Sequence, residues 1–475
     1  MKPTPLRLPP PRILRQDQID RIHQAAVRIL LEQGIRVHYD PAREAAGRVG
    51  IRVDGQRVFP DRVRIDELVH QTRSRQTPDD PQTDREPTPA IWLSVPMYCE
   101  FVHDLETDAV APFTTDSLIE ATKLVDTMDS YRVIGSGPGI PHDVTGELQR
   151  LKQYQISARY SRHGRRPNVE ESSPRALPYL FEMAEALGHP PRDHVIYIVS
   201  PLSLSRHSFE ALDAVRDKIE SIHVSDMISA GGTAPVRLGD ALAMGAAEAM
   251  GAAIVVAEYA RLPVQWNLRV CPFDPRRMAL SLGSPEEFHF QRASDELNAW
   301  YHGWDPGPPN GMLHTQAKLP DAQAAAEKMS QMTLAAACGA RDFSGAGALS
   351  LDEVFSPEQL VVDCEMRDHV ERLVRGANLN CDPEAAAGEV AEGMDGGFLG
   401  LDSTARLYRG IYWLPRIFER RSFSGWYEAG MPRVHGTARE FVREQLGKHD
   451  FRLPDDVSRE LDAIYARAEA AIVGG

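Results

Sequence analysis

Residues 228–254 read "ISAGGTAPVRLGDALAMGAAEAMGAAI" and contain the sharpest change of secondary structure in the chain. The preceding residues 221–229, "SIHVSDMIS", are typical of a strand. Gly231 and Gly232 permit a tight turn, and Thr233 is a favourable residue at a helix start. The following helix contains glycines where helix propensity favours Ala, at Gly239, Gly245 and Gly251. We predict a β/α layer whose helix lies very close to another surface.

From about residue 115, strand-like runs alternate with longer helical runs, which is typical of parallel β/α units. The candidate strands are "YRVIGSG", "RPNVEES", "HVIYIVSP", "SIHVSDMIS", "PVQWNLRV", "NAWYHGW" and "RDFSGAGAL", and "GGFLGL" near residue 397 could complete a barrel. A doubly wound sheet produces much the same pattern. The length and repetition favour an α/β fold of the TIM type, a (β/α)8 barrel with a small N-terminal α+β lobe and additional C-terminal helices.

Three regions follow from this pattern. Residues 1–90 hold a Pro-rich arm, an α+β lobe and a linker, of which 76–90 is rich in Pro, Asp and Thr. In the lobe, "DQIDRIHQAAVRILLEQG" predicts an amphipathic helix that ends at Gly34, and Asp54-Gly55 predicts a hairpin. Residues 91–355 form the barrel body, and residues 356–475 hold the final barrel element and a C-terminal helical region.

The composition excludes several classes of partner. A formal net charge of −15 offers no basic face for nucleic acid. The five cysteines form no CxxC pair, and no spacing typical of a metal site occurs. The N-terminus lacks an apolar signal region, and no later run approaches a membrane span. We expect a reduced, cytoplasmic protein with no nucleic-acid or membrane partner and no bound metal.

In a barrel, the active site lies at the carboxyl ends of the strands. The side chains at these positions are candidates for substrate binding: Glu171, His223, Asp226, Trp266, Asn267, Trp300, His302 and Trp304. Three of the six tryptophans fall at two successive predicted strand ends, where aromatic faces could enclose a quaternary ammonium group. Because strand residues alternate in direction, Trp300 and His302 are favoured over Tyr301. The alternative interpretation is that the aromatics are core or loop anchors and that His223 is structural.

A second set of candidate residues lies in two loops that precede small-residue helices. Its members lie in the glycine turn and in the polar loop before the helix "AQAAAEKM": Gly231, Gly232, Thr233, His314 and Lys318. In the same loop, Asp321 is better explained as a helix N-cap than as a catalytic group. No Ser-His-Asp, Walker, HExxH or GxGxxG motif occurs, and the spacing assigns no catalytic residue.

Four segments together resemble the trimethylamine methyltransferase family of corrinoid-dependent enzymes. They are "IDRIHQAAVRILLEQGIRV", "GGTAPVRLGDALAMGAAEAMGAAIVV", "AKLPDAQAAAEKMSQMTLAAACGA" and "SPEQLVVDCEMRDHVERLVRG", in this order across nearly the whole chain. The resemblance implies a TIM-type barrel with extra helices. It also implies transfer of a methyl group from an amine to the cobalt of a separate corrinoid protein. The second set of candidates, with "GGTAP" among them, would then lie at the rim of the active site or face the corrinoid protein.

The chain departs from the trimethylamine-using members of that family, which carry pyrrolysine, because every residue here is standard. Many relatives without pyrrolysine act on quaternary amines such as glycine betaine. The resemblance therefore implies methyl transfer from a glycine betaine-like amine to cobalamin carried by a partner corrinoid protein, with a homo-oligomer also compatible. Two alternatives stay open: a different methyl donor, such as a tertiary amine or a sulfonium, and a non-catalytic barrel that binds quaternary amines.

Overall fold

The computed structural model describes residues 4–74, 90–167, 169 and 172–474. The predicted linker, 76–90, lies outside the described residues except for its last position. The first elements of the chain are α1 (Gln16–Gln33), β1 (Ile35–Val37), α2 (Asp40–Arg48), β2 (Arg52–Asp54), β3 (Arg57–Phe59) and α3 (Arg62–Ser74). The predicted helix and hairpin are confirmed: α1 ends at Gly34, and β2 pairs antiparallel with β3 around Gly55.

The body of the fold alternates strands and helices. Its elements are β4 (Trp92–Ser94), β5 (Phe101–His103), β6 (Val110–Pro112), α4 (Thr115–Thr127), β7 (Val133–Ile134), α5 (Gln149–Tyr160), α6 (Leu177–Ala186), β8 (Asp193–Tyr197), β9 (Ser203–Leu204), α7 (Arg206–Val215), β10 (Ser221–Ser225), β11 (Ile228–Ala230), α8 (Leu238–Ala260), β12 (Val264–Asn267), β13 (Val270–Asp274), β14 (Ala279–Leu280), α9 (Pro285–His302), α10 (Ala322–Ala337), β15 (Asp342–Ser344), β16 (Ala348–Leu349) and β17 (Val354–Phe355).

Helices occupy the rest of the chain: α11 (Pro357–Arg375), α12 (Pro383–Gly396), α13 (Asp402–Ile411), α14 (Phe423–Glu428), α15 (Val434–Leu446) and α16 (Asp455–Val473). The buried residues of α11 and α15 belong to the same core as β4, β7 and β15. In contrast, α16 belongs to the core formed by α1, α8, β10 and β12. The C-terminal helices therefore complete two cores that the earlier elements begin.

Among the described residues, two sheets consist of parallel strands alone and are called the two arcs below. In the first arc, β10 lies between β8 and β12, and His223 is opposite Val195 on one side and Gln265 on the other. In the second arc, β4 lies between β7 and β15, and a parallel bridge from Met312 to Ser344 extends this arc. The α/β fold is confirmed. Within the described ranges, however, the two arcs do not join into a closed ring.

Two predicted strands are wrong. "NAWYHGW" is the end of helix α9, which starts with Pro285 at its first turn, carries Glu286 and Glu287 there, and ends at Gly303 with a φ of 73°. The adjacent aromatic residues are typical of a strand and led to the wrong prediction. The acidic residues at the start and the glycine at the end are typical of a helix. "GGFLGL" contains a single 3-10 turn, Phe398–Gly400.

The sequence predicts that the three glycines of α8 lie close to another surface. The structure confirms this for two of them. A Cβ at Gly251 would lie 2.7 Å from Leu30 of α1, and one at Gly245 would lie 3.0 Å from Ile228 of β11. Gly239 faces open space. By length and composition, α8 could cross a membrane, which the sequence prediction missed. In the structure, however, 89% of its most apolar window is buried inside the fold.

Candidate active site at the strand ends

One face of the first arc is polar and open. Because side chains alternate along a strand, Val224 and Trp266 point into the helix layer and are buried. His223, Asn267 and Tyr197 lie on the opposite face and are partly exposed. Nε2 of His223 lies 3.0 Å from Oδ1 of Asn267. The fold thus brings two of the predicted binding residues into direct contact near the carboxyl ends of neighbouring strands.

A charged cluster lies beyond these strand ends. Arg269 lies between β12 and β13, and its backbone N–H donates a 2.7 Å hydrogen bond to Oδ1 of Asp226. The guanidinium of Arg269 lies 3.7 Å from Oε1 of Glu287 on α9. Nδ1 of His314 lies 2.5 Å from the same carboxylate oxygen. Glu287 therefore holds the guanidinium and the imidazole on one carboxylate.

Burial changes the charge state of the carboxyls around this cluster. Burial alone would raise the pKa of Glu287, but the hydrogen bond from His314 lowers it below its ordinary value, so Glu287 is ionised. Burial, with the nearby Glu248, raises the pKa of Asp226 well above its ordinary value. Burial raises the pKa of Glu248 to about 7. The carboxyls in and around this cluster therefore carry less negative charge at neutral pH than their number implies.

Asp226 and Glu248 face the helix layer rather than the open face. Oδ2 of Asp226 lies 3.4 Å from the position that a Cβ at Gly245 would occupy. Glu248 accepts hydrogen bonds from the hydroxyl of Ser200 and from the backbone N–H of Leu202. These two carboxyls connect α8 to the loops that follow β8 and β10. Glu171, the remaining acidic candidate, lies outside the described residues.

The predicted aromatic set is placed mainly between α3 and α9. Trp266 is buried, and its indole N–H donates a 3.1 Å hydrogen bond to Thr72. The guanidinium of Arg73 lies 4.2 Å from the ring centroid of Trp300 and covers that face. His302 stacks on Trp304, which is 59% exposed. The structure directs Trp266 and Trp300 toward α3 and away from the face that carries His223, whereas His302 lies close enough to interact electrostatically with His223. The binding role of all these rings stays a prediction.

The predicted rim residues occupy two loops. Thr233 does not cap α8, which begins at Leu238; its hydroxyl accepts a hydrogen bond from the N–H of Ser229 and closes the glycine turn. Gly231 has a φ of 95°, which L side chains rarely adopt. In the other loop, Nζ of Lys318 donates a 2.7 Å hydrogen bond to Ser350. Asp321 caps α10, as the sequence predicts.

The carboxyl ends of the second arc are also polar. A small pocket lies against the loops that follow β4 and β7 and is bordered by α5. Arg150 donates a 2.9 Å hydrogen bond to the backbone oxygen of Met97, and Gln153 donates to Met97 and Gly137. Both side chains are buried. They fix the positions of the two loops at this end of the fold.

Sequence reasoning missed Arg269, Glu287 and Glu248. Arg269 follows Asn267 by two residues and could have been included with the strand end "VQWNLRV". Glu287 lies in a helix start, where an acidic residue is expected for the helix dipole alone. Among the described residues, no group of three or more His, Cys, Asp or Glu side chains is placed to hold a metal ion.

Comparison with known proteins gives a family and several relatives. The family model of trimethylamine methyltransferase (MTTB) matches residues 2–473. Trimethylamine methyltransferase MttB2 of Methanosarcina mazei is 30% identical over 283 residues, and the match covers 58% of this chain and 55% of that protein. The chain thus spans about half the length of this relative. Glycine betaine methyltransferase of Desulfitobacterium hafniense is 25% identical over 436 residues, covering 88% and 89% of the two chains.

Among solved structures, the monomethylamine methyltransferase (MtmB) of Methanosarcina barkeri aligns with 93% of this chain and 89% of its own, at 11% identity and a TM-score of 0.48. The named relatives are methyltransferases. Because the family model extends over almost every residue, the chain belongs to the trimethylamine methyltransferase family.

Proposed function

We propose that this protein moves a methyl group from a quaternary amine of the glycine betaine type to the cobalt of a separate corrinoid protein. One observation carries the proposal. The relative named glycine betaine methyltransferase aligns over 88% of the chain, whereas the match to the M. mazei trimethylamine methyltransferase covers 58%. The absence of pyrrolysine from the sequence also favours a quaternary amine over trimethylamine.

The reaction requires little acid–base catalysis by the protein. As Co(I) attacks the methyl carbon, the N–CH3 bond breaks, its electron pair stays on nitrogen, and a neutral tertiary amine leaves. No proton is needed. The protein must bind the amine, orient one methyl group outward and exclude water. A carboxylate close to the nitrogen would stabilise the cationic ground state more than the transition state, in which the charge fades.

The charge states near the strand ends agree with this requirement. The raised pKa values of Asp226 and Glu248 favour their neutral forms, and both carboxyls face α8. Glu287, which is ionised, already contacts His314 and Arg269. The proposed site therefore places no uncompensated carboxylate beside the ammonium group.

Arg269 is the residue that we assign to the substrate carboxylate. Its side chain is 28% exposed, it lies just beyond β12, and Glu287 holds it from one side. A guanidinium presents several N–H donors in one plane and can bind a second carboxylate while it keeps the first. The ammonium end of a betaine would then extend along the polar face of the first arc, over Asn267 and His223.

We also propose that the fold closes into a barrel and that the corrinoid partner docks at its mouth. The chain order and the strand orders of the two arcs support a TIM-type (β/α)8 barrel, in which the arcs are two parts of one ring. The glycine turn at Gly231–Thr233 would lie at its mouth, where the corrinoid protein brings cobalt to the methyl group. Because Co(I) is strongly reducing, we propose a cytoplasmic location, where thiols also stay reduced.

An assay with purified protein and Co(I)-cobalamin tests the proposed function. The amines are glycine betaine, carnitine, choline and trimethylamine, with a methylsulfonium as a further donor, and methylcobalamin formation is followed by its absorbance. We expect product from glycine betaine or carnitine. Product from trimethylamine or the sulfonium alone would support a different methyl donor. Binding of a quaternary amine with no methylcobalamin from any donor would support the non-catalytic barrel.

A further inference from the structure

We infer that residues 377–432, called the arm below, form an interface with a second copy of this chain. The arm contains α12, α13 and α14. Helices α13 and α14 have no buried residue, and Gly393 is the single buried residue in the described part of α12. Helices of this length are marginal without packing partners. The arm thus has almost no core of its own.

Large apolar side chains are concentrated on the arm surface. Twelve of them are between 48% and 93% exposed: Leu379, Val390, Met394, Phe398, Leu399, Leu407, Ile411, Tyr412, Leu414, Phe423, Tyr427 and Met431. A monomer rarely exposes a contiguous apolar patch of more than a few hundred Å2. A specific interface buries about 800 Å2 per partner, and the exposed apolar side chains of the arm could supply the apolar part of such a surface.

The arm is attached to the body along helix α11. Ile417 is buried, and the backbone N–H of Arg416 donates a 2.7 Å hydrogen bond to Glu365 of α11. The guanidinium of Arg416 lies 3.7 Å from Asp368 and 4.6 Å from the ring centroid of Tyr131. This attachment fixes the position of the exposed surface relative to the rest of the fold.

The charges of the arm are divided into two segments of opposite sign. Residues 376–405 contain no Lys or Arg, and their carboxylates include Asp382, Glu384, Glu389 and Glu392. Residues 406–421 contain five arginines and one carboxylate, Glu419. Arg421 pairs with Glu419 and Arg416 with Asp368. Arg406, Arg409 and Arg420 form no ion pair with any carboxylate of the described residues.

This division of charge identifies the occupant as a second copy. In a two-fold symmetric dimer the same surface meets itself in the opposite direction. The acidic segment of one copy can then lie against the basic segment of the other, and the contact occurs twice. The exposed apolar side chains of the arm would be covered at the same time. A single surface that is both apolar and self-complementary in charge fits this arrangement.

Charge reversal tests the dimer directly on the full chain. Sedimentation equilibrium measures the dissociation constant of the wild type, of the acid-reversed variant Glu389→Lys/Glu392→Lys, of the base-reversed variant Arg406→Glu/Arg409→Glu, and of all four substitutions combined. We expect a wild-type dimer, at least about tenfold weaker dimerisation for each pair, and near wild-type affinity for the combination. Met278→Asp, at an equally exposed apolar side chain on the β13–β14 turn, is the control and should leave the dimer unchanged.

Any of four results would overturn the inference. The first is a wild-type chain that stays monomeric at about 100 µM, a concentration at which even weak specific dimers form. The second is a dimer whose affinity none of the charge reversals changes. The third is a combined variant that stays as weak as the separate ones although circular dichroism shows that it is folded. If the reversals weaken binding to a corrinoid protein but leave the dimer intact, the arm binds that protein and the inference is also wrong.

Discussion

Nδ1 of His314 lies 2.5 Å from Oε1 of Glu287, and the guanidinium of Arg269 lies 3.7 Å from the same oxygen. One buried carboxylate therefore positions a residue from the loop before α10 and a residue from the end of β12. The carboxylate comes from α9, which follows β12 in sequence. The geometry of the proposed site depends on this three-way contact between separate elements.

Replacing Glu287 by Gln should lower stability and loosen the site. The pKa of Glu287 lies below the ordinary glutamate value of 4.5, so its ion pairs stabilise the fold at neutral pH and lose this effect as the pH falls below about 4.5. We expect Glu287→Gln to lower the free energy of unfolding by about 1 to 3 kcal/mol at pH 7. The difference from the wild type should shrink in acid.

Urea unfolding at pH 7 and at pH 4 measures both effects. Glu286→Gln is the matched control, because Glu286 is the exposed neighbour of Glu287 in the first turn of α9. An equal loss of stability for the two variants would contradict a special role of Glu287.

Replacing Arg269 by Met should change the choice of ligand. A charge-assisted hydrogen bond to the substrate carboxylate contributes about 1.5 to 3 kcal/mol. We expect the affinity for glycine betaine to fall about 10- to 100-fold, while the affinity for choline, which has the same ammonium group and no carboxylate, stays within about threefold. Titration calorimetry measures both without a need for methyl transfer.

The control for this prediction is Arg276→Met, at an 88% exposed side chain on the β13–β14 turn. If Arg269→Met weakens betaine and choline equally, Arg269 supports the fold and does not bind the carboxylate. If neither ligand binds the wild type, the substrate class itself is wrong.

Glu248 should make the protein less stable as the pH rises from about 4.5 to 7. Burial raises its pKa from 4.5 to about 7, so in this window the unfolded chain ionises while the folded chain stays protonated. Glu248 should contribute a fall of about 3 kcal/mol in the free energy of unfolding across the window, in addition to the fall that the raised pKa of Asp226 causes. Glu248→Gln should remove the Glu248 contribution, leave a shallower slope and be more stable than the wild type at pH 7.5.

Chemical denaturation from pH 4.5 to 8 tests the slope. Glu210→Gln, at an exposed carboxylate on α7, should keep the wild-type pH dependence. A Glu248→Gln variant with an unchanged slope would show that Glu248 titrates normally in the folded protein.

Replacing Trp300 by Leu distinguishes a structural aromatic from a ligand-binding one. Because Arg73 already covers the ring, we expect a loss of about 0.5 to 2 kcal/mol in the free energy of unfolding and no change in the affinity for glycine betaine. Trp304→Leu, at an exposed ring, is the companion variant. If Trp300→Leu binds betaine more weakly and keeps its stability, the result would support the aromatic cage predicted from the sequence.

Local patterns predicted the elements that have strong start and stop signals. The helix before Gly34, the hairpin at Gly55, the strand "SIHVS" and the small-residue helix that follows it all form as expected. The contact of Gly251 with Leu30 explains why a residue without a side chain stands in the middle of α8. These elements can be predicted from the sequence because each depends on neighbouring residues or on a single small residue at a close contact.

Some of the aromatic residues lie in local structure that the sequence did not predict, while their binding role stays a prediction. Trp266 and Asn267 are adjacent, and both were candidates for the same pocket, but alternation in β12 sends the indole toward α3 and the amide toward His223. Trp300 lies on a helix, so its neighbours are α1 and α3 rather than the sheet. The link from Glu287 to His314 joins residues 27 positions apart, and no short-range pattern indicates it.

Methyl transfer from isotopically labelled glycine betaine is the most direct test of the central claim. The protein is incubated with a reduced corrinoid protein and betaine whose three N-methyl groups are trideuterated, and mass spectrometry follows both products. We expect one trideuteromethyl group on cobalt for each dimethylglycine released, with the two remaining labelled methyl groups still on nitrogen. Saturating betaine that binds the protein while cobalt stays unmethylated and no dimethylglycine forms would contradict the claim.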